Sequence, residues 1–78
     1  MTKSVFTERY QTLISLLINA RQAQGLSQRE LASKLNTAHS FVAKYELGER
    51  RLDVIEFLDI VKALEADPVK IIKQLVEK

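Results

Sequence analysis

Apolar residues recur along this chain at three- and four-residue spacing, in stretches separated by short polar breaks. Tyr10, Leu13, Ile14, Leu17 and Ile18 follow the 3.6-residue period and predict a helix that starts near Ser4 or Thr7 and runs to Gln24, with Gly25 ending it. Leu16 falls off that face; either it packs under the N-terminal segment containing Val5 and Phe6, or it stands exposed. Leu31, Ala32 and Leu35 give a second, shorter helix one buried face. Its start is chemically marked, because Ser27 and Glu30 form a Ser-x-x-Glu capping box, with Leu26 and Leu31 placed to close a hydrophobic staple. Asn36-Thr37-Ala38 breaks the pattern, and asparagine tolerates the left-handed backbone of a tight turn. A third run, with Val42 and Tyr45 facing inward, stops at Gly48.

Leu52 to Leu64 reads as a fourth helix, capped by Asp53 with Glu56 three residues on. Val54, Phe57, Leu58, Val61 and Leu64 form its expected core-facing stripe. Asp67 and Pro68 open a fifth helix, about residues 67–77, with proline where its missing amide costs nothing. Val69, Ile71, Ile72, Leu75 and Val76 span an arc of about 160° on that helix, wider than the ~100° stripe of a single core contact. Half of the arc closes the domain. The other half either meets a partner or is wrapped by the small domain itself.

The second and third helices, about residues 27–47, are joined by a turn short enough to match a helix-turn-helix, whose second helix enters the DNA major groove. With Val42 and Tyr45 buried, the residues pointing away near the start of the third helix are His39, Ser40, Ala43 and Lys44. Lys44 is a donor suited to guanine O6 and N7. Glu49-Arg50-Arg51 follows Gly48, and paired arginines in such a loop suit phosphate contacts. A solvated helix face beside an ordinary charged loop is the plainer account of the same residues.

Residues 13–65, roughly two-thirds of the chain, resemble the lambda-repressor-like helix-turn-helix proteins, the Cro and phage-repressor type also called the xenobiotic-response-element type. The resemblance is carried by Gly25-Leu26-Ser27-Gln28-Arg29-Glu30-Leu31-Ala32, by Ser40-Phe41-Val42-Ala43-Lys44-Tyr45-Glu46, and by Gly48-Glu49-Arg50-Arg51-Leu52-Asp53. It implies an all-α, compact five-helix DNA-binding domain, of bacterial or phage origin, that binds a near-palindromic operator as a homodimer. Carried onto this sequence, Gln28 matches the position that reaches a backbone phosphate, and Arg29 beside it joins Arg50 and Arg51 in the expected phosphate set. His39, Ser40 and Lys44 match positions that meet base edges, with Ala43 on the same face. Arg21 and Glu46 match a pair that, in some members, forms a partly buried ion pair between the first and third helices. Asn36 stands where glycine is common, and Ala38 where Ser, Thr or Pro often opens the third helix. Alanine supplies no cap, so either Thr37 takes over or the helix start frays, which leaves the register of the first reading residue open by one position.

At 78 residues the chain is expected to form one domain, 1–78, with no room for an effector-sensing module. A core of this size supplies roughly 3–5 kcal/mol. Without cysteine, neither a disulfide nor a thiolate zinc site supplements it, which leaves oligomerisation as the common reinforcement. The nominees for a dimer interface are Ile71, Leu75 and Val76, with the first helix around Phe6 and Tyr10 next. No apolar run approaches the ~20 residues that span a bilayer, and Met1–Tyr10 lacks a signal-peptide core, so a cytoplasmic, nucleoid-associated protein is expected.

The net charge of +2 says little, but its distribution says more. Residues 21–51 carry Arg21, Arg29, Lys34, Lys44, Arg50 and Arg51 against Glu30, Glu46 and Glu49, whereas residues 52–78 are net acidic. A basic reading segment ahead of an acidic tail fits a protein that presents one face to DNA. Enzyme chemistry is not expected: His39 is the single histidine, with no sequence-evident carboxylate partner or second metal ligand, and there is no Gly-rich phosphate loop. No cofactor or metal is implied. Two function classes remain. One is a dimeric transcriptional regulator, a repressor on an inverted-repeat operator of double-stranded DNA. The other is a helix-turn-helix used to bind another protein, as in the antitoxin of a toxin–antitoxin pair; fold alone does not separate them. Gln28, Lys44, Arg50 and Arg51 on one side favour DNA.

Overall fold

Local capping chemistry decides where the helices begin. In the computed structural model, which describes residues 7–77, five helices follow in order: α1 (Glu8–Ala23), α2 (Gln28–Lys34), α3 (His39–Glu46), α4 (Val54–Ala63) and α5 (Pro68–Val76). Among the described residues there is no strand. Thr7 caps α1 by accepting from the Tyr10 amide at 3.2 Å, while Ser4, Val5 and Phe6 lie outside the described residues. Complete capping boxes, Ser27 with Glu30 and Asp53 with Glu56, open α2 and α4. Asp67 accepts from the Val69 amide at 2.9 Å and opens α5 ahead of Pro68. Only α3 starts without a side-chain cap. Ala38 occupies its N-cap position, so His39 is the first helical residue and the register is settled without Thr37.

Helix ends are equally regular. The first four helices each stop with a left-handed residue: Gly25 (φ 71°), Asn36 (φ 57°), Gly48 (φ 79°) and Glu65 (φ 56°). The next amide in each case reaches back to a carbonyl of the last helical turn, as Thr37 does to Ala32 at 3.0 Å. Asn36 thus serves where glycine would. Glu65 holds a conformation that costs a residue with a Cβ about 1–2 kcal/mol.

The core collects Tyr10, Ile14 and Leu17 of α1, Leu31 and Ala32 of α2, Val42 and Tyr45 of α3, and Phe57, Ile60 and Val61 of α4, together with Leu64 and Ile71. α1 packs against α3 and α5, and α2 against α3. Leu16 is half-buried against this cluster. Two expectations need correction. The buried face of α4 is rotated: Val54 and Leu58 are 70% and 42% exposed, and Ile60 is fully buried. An i, i+3, i+4, i+7 stripe through Phe57, Ile60, Val61 and Leu64 fills the core, which turns the Val54–Leu58 edge outward. In α5, Ile71 belongs to the core at 7% exposure and Leu75 is half-buried against it, so Val76, 73% exposed, alone of the three nominees lies open. No helix among the described residues is long and apolar enough to cross a membrane.

Candidate nucleic-acid interface

Burial of Val42 and Tyr45 turns the opposite side of α3 to solvent. His39, Ser40 and Lys44 are exposed there, and Ala43 between them is half-buried. Phe41 packs edge-on against Tyr45, with ring centroids 5.5 Å apart. Burial keeps the Tyr45 phenol neutral by raising its pKa far above the usual range, and its hydroxyl has no hydrogen-bond partner among the described residues.

A polar network braces α3 from behind. Arg21 of α1 donates through Nε to Glu46 Oε2 at 2.7 Å, through Nη2 to Oε1 at 3.1 Å, and through Nη1 to the Leu26 carbonyl at 2.8 Å. The two side chains are 12% and 5% exposed. Glu46 Oε1 also accepts from Gln28 Nε2 at 2.8 Å, and Gln28 Oε1 lies 3.2 Å from His39 Nε2. Gln28 is therefore engaged on two sides, and its half-buried side chain bridges Glu46 to His39. Arg29, its neighbour on α2, is exposed.

The loop between α3 and α4 is held by Tyr10. Its hydroxyl donates to the Arg50 carbonyl at 3.2 Å and accepts from the Leu52 amide at 3.0 Å. Burial pushes the phenol pKa up, and the Leu52 amide opposes the shift. The two arginines of this loop part company. Arg50 forks onto Glu56 at 2.9 and 2.7 Å and lies 4.8 Å from the centre of the Phe41 ring. Its guanidinium holds the Glu56 carboxyl below the usual range, assisted by the Asp53 amide, and its own pKa rises in turn. Arg51 lies 4.9 Å above the Tyr10 ring, and its side chain stays exposed. Of the expected phosphate set, Arg29 and Arg51 face water, whereas Gln28 and Arg50 are tied into the protein.

Three roles escaped the sequence reading. Tyr10 was legible only as a core position, although a hydroxyl on a core face calls for a partner. Glu56 was legible as half of a capping box, which concealed its second task with Arg50. Lys34 Nζ, 3.2 Å from the Ala63 carbonyl at the end of α4, carried no local signal. Val54 and Leu58 of α4 and Val69 and Ile72 of α5 line an apolar groove. No grouping of three or more potential metal ligands occurs among the described residues.

The helix-turn-helix family HTH_3 matches residues 17–71. Among solved structures, an XRE-family like protein from Pseudomonas syringae pv. tomato str. DC3000 is 48% identical over 88% of this chain and 84% of that chain, with a TM-score of 0.84. The restriction-modification controller protein C.Esp1396I, solved as a tetramer in complex with its natural 35 base-pair operator, is 22% identical over 91% of this chain and 93% of that chain, with a TM-score of 0.79. The clp gene regulator ClgR from C. glutamicum is 19% identical over 96% of each chain, with a TM-score of 0.78. These last two likenesses establish the fold alone. No curated protein matches.

Proposed function

The chain belongs to the helix-turn-helix family of XRE, lambda-repressor-like DNA-binding regulators, and on that premise we propose that it represses transcription by binding an inverted-repeat operator as a homodimer. The observation that carries this reading is the outer face of α3. His39, Ser40 and Lys44 stand exposed at a helix whose one carboxylate, Glu46, is neutralised from behind by Arg21. Short polar side chains and a cation with no acidic partner among the described residues suit base edges in the major groove. In this reading His39, Ser40, Ala43 and Lys44 meet the bases, Arg29 and Arg51 meet phosphate, Gln28 steadies His39, and Arg50 braces the loop that carries Arg51.

A domain of this size covers too little DNA for tight specific binding, and pairing across a two-fold axis sets two reading helices about 34 Å apart. The exposed apolar residues Val54, Leu58, Val69, Ile72 and Val76 supply a surface for that pairing. Because a C2 interface is self-complementary, one charge placed near it meets its own copy. The same face would serve a foreign partner in an interaction module, so the decisive test is DNA selection. Purified protein incubated with a random duplex pool is expected to enrich an inverted repeat, and Leu58→Glu with Ile72→Glu to give a folded monomer by sedimentation and circular dichroism. A pool that shows no enrichment overturns the regulator reading. A variant that stays dimeric at micromolar concentration moves the interface elsewhere.

A further inference from the structure

Glu46 does more than pair with Arg21. Its Oε1 lies 2.8 Å from the Gln28 side-chain amide, and only the NH2 end of that amide belongs there. The oxygen end would set two acceptors against each other with no proton between them. The amide is thus oriented by chemistry, nitrogen towards Glu46 and oxygen away. That oxygen is 3.2 Å from His39 Nε2. A carbonyl only accepts, so Nε2 carries the proton, and in the neutral ring Nδ1 is left as the acceptor. Glu46 is 5% exposed and Gln28 half-buried, so water competes weakly for the bond between them, while the contact of Gln28 with His39 lies at the exposed surface. His39 is the first residue of α3 and exposed, in the part of a reading helix that meets base edges.

We propose that Glu46, acting through Gln28, fixes the tautomer of His39, so that the neutral imidazole offers an acceptor to the groove and favours adenine N6 or cytosine N4 over guanine. An unheld histidine exchanges between tautomers and can also offer Nδ1–H to guanine O6 or N7. Gln28 and Glu46 are positioning residues here: they touch no base, yet set which base His39 accepts. The tautomer follows from the protein alone, whereas its effect on base choice rests on the DNA-binding reading above.

The two parts are tested separately. In proton–nitrogen correlation spectra of the free protein, recorded above the ordinary imidazole range of ~6.5, the wild type is expected to show a single Nε2–H tautomer. Gln28→Met keeps the side-chain length, removes both hydrogen bonds and is expected to show a mixture; Gln28→Ala repeats the measurement should the methionine variant fold poorly. The same mixture in wild type and variant overturns the proposal. In site selection, the wild type is expected to prefer adenine or cytosine over guanine by about tenfold or more at one position of each half-site, and Gln28→Met to reduce this to about threefold or less with other positions unchanged. Preference of the wild type for guanine there also overturns it. A wild type that binds no DNA yet shows the single tautomer sustains the tautomer assignment and overturns the regulator reading instead.

Discussion

Two arginine–carboxylate pairs in this protein share a geometry and differ in surroundings. Arg21–Glu46 and Arg50–Glu56 both close at 2.7 Å, but the side chains are 12% and 5% exposed in the first and 42% and 26% in the second. Each is a fork of two guanidinium nitrogens on two carboxylate oxygens. Water screens the outer pair, and holding it ordered costs side-chain entropy. The inner pair sits where an unmatched charge cannot be solvated. The remaining lone pairs show what each fork is for. Glu46 accepts its third hydrogen bond from Gln28 and is so linked to His39 on the outer face of α3, whereas Glu56 accepts from the Asp53 amide and anchors the start of α4. Burial, rather than distance, decides which pair the fold depends on.

Breaking the inner pair should have the largest effect. Glu46→Ala strands Arg21 and is expected to destabilise the domain by about 3 kcal/mol or more, measured by urea unfolding. A midpoint unchanged on substitution would remove the distinction between the pairs. Tyr10→Phe comes next, since it leaves the Leu52 amide and Arg50 carbonyl of the loop without the hydroxyl that joins them; about 1–2 kcal/mol is expected in the same assay.

The two loop arginines sharpen the contrast in DNA binding. Arg51→Ala should weaken binding to all sequences alike and lower the salt slope by about one unit, while Arg50→Ala leaves the slope where it was. Equal changes in slope would mean that Arg50 leaves Glu56 for phosphate on binding. The smallest effect concerns acid. Glu56, held below its usual pKa by Arg50 and the Asp53 amide, contributes stability that is fully present above the unfolded value of ~4.3 and lost as pH falls through its folded value. The melting temperature should therefore drop below about pH 4.3, and Glu56→Gln should start lower and drop less steeply over that range. Glu30, lowered by the Ser27 amide, keeps part of the drop in both proteins.

Much of the fold was legible because its signals are short. Ser27 with Glu30, Asp53 with Glu56, and Asp67 with Pro68 each act within one helical turn, and Gly25, Asn36 and Gly48 each close a turn by their own backbone preference. The face of α4 was not legible in the same way. Its residues offer two apolar stripes, one through Val54, Leu58 and Val61 and one through Phe57, Ile60 and Leu64, and periodicity cannot rank them. Packing against the other helices chose the second together with Val61, and left Val54 and Leu58 of the first as open surface.

The chain's own order determined the five helices, the caps that open α2, α4 and α5, and the side of α3 that faces outward, because each depends on neighbours a few residues away. Which polar heads remain available was decided by tertiary structure alone. Arg21 meets Glu46 across 25 positions, Gln28 meets His39 across 11, and Tyr10 meets the Arg50 carbonyl across 40. Such separations are closed only when α1 and α2 pack on α3 and the loop folds back over Tyr10. A string of residues shows Gln28, Arg29, Arg50 and Arg51 as four equal candidates for phosphate; the folded chain pairs Gln28 with Glu46 and His39 and Arg50 with Glu56, and leaves Arg29 and Arg51 facing water.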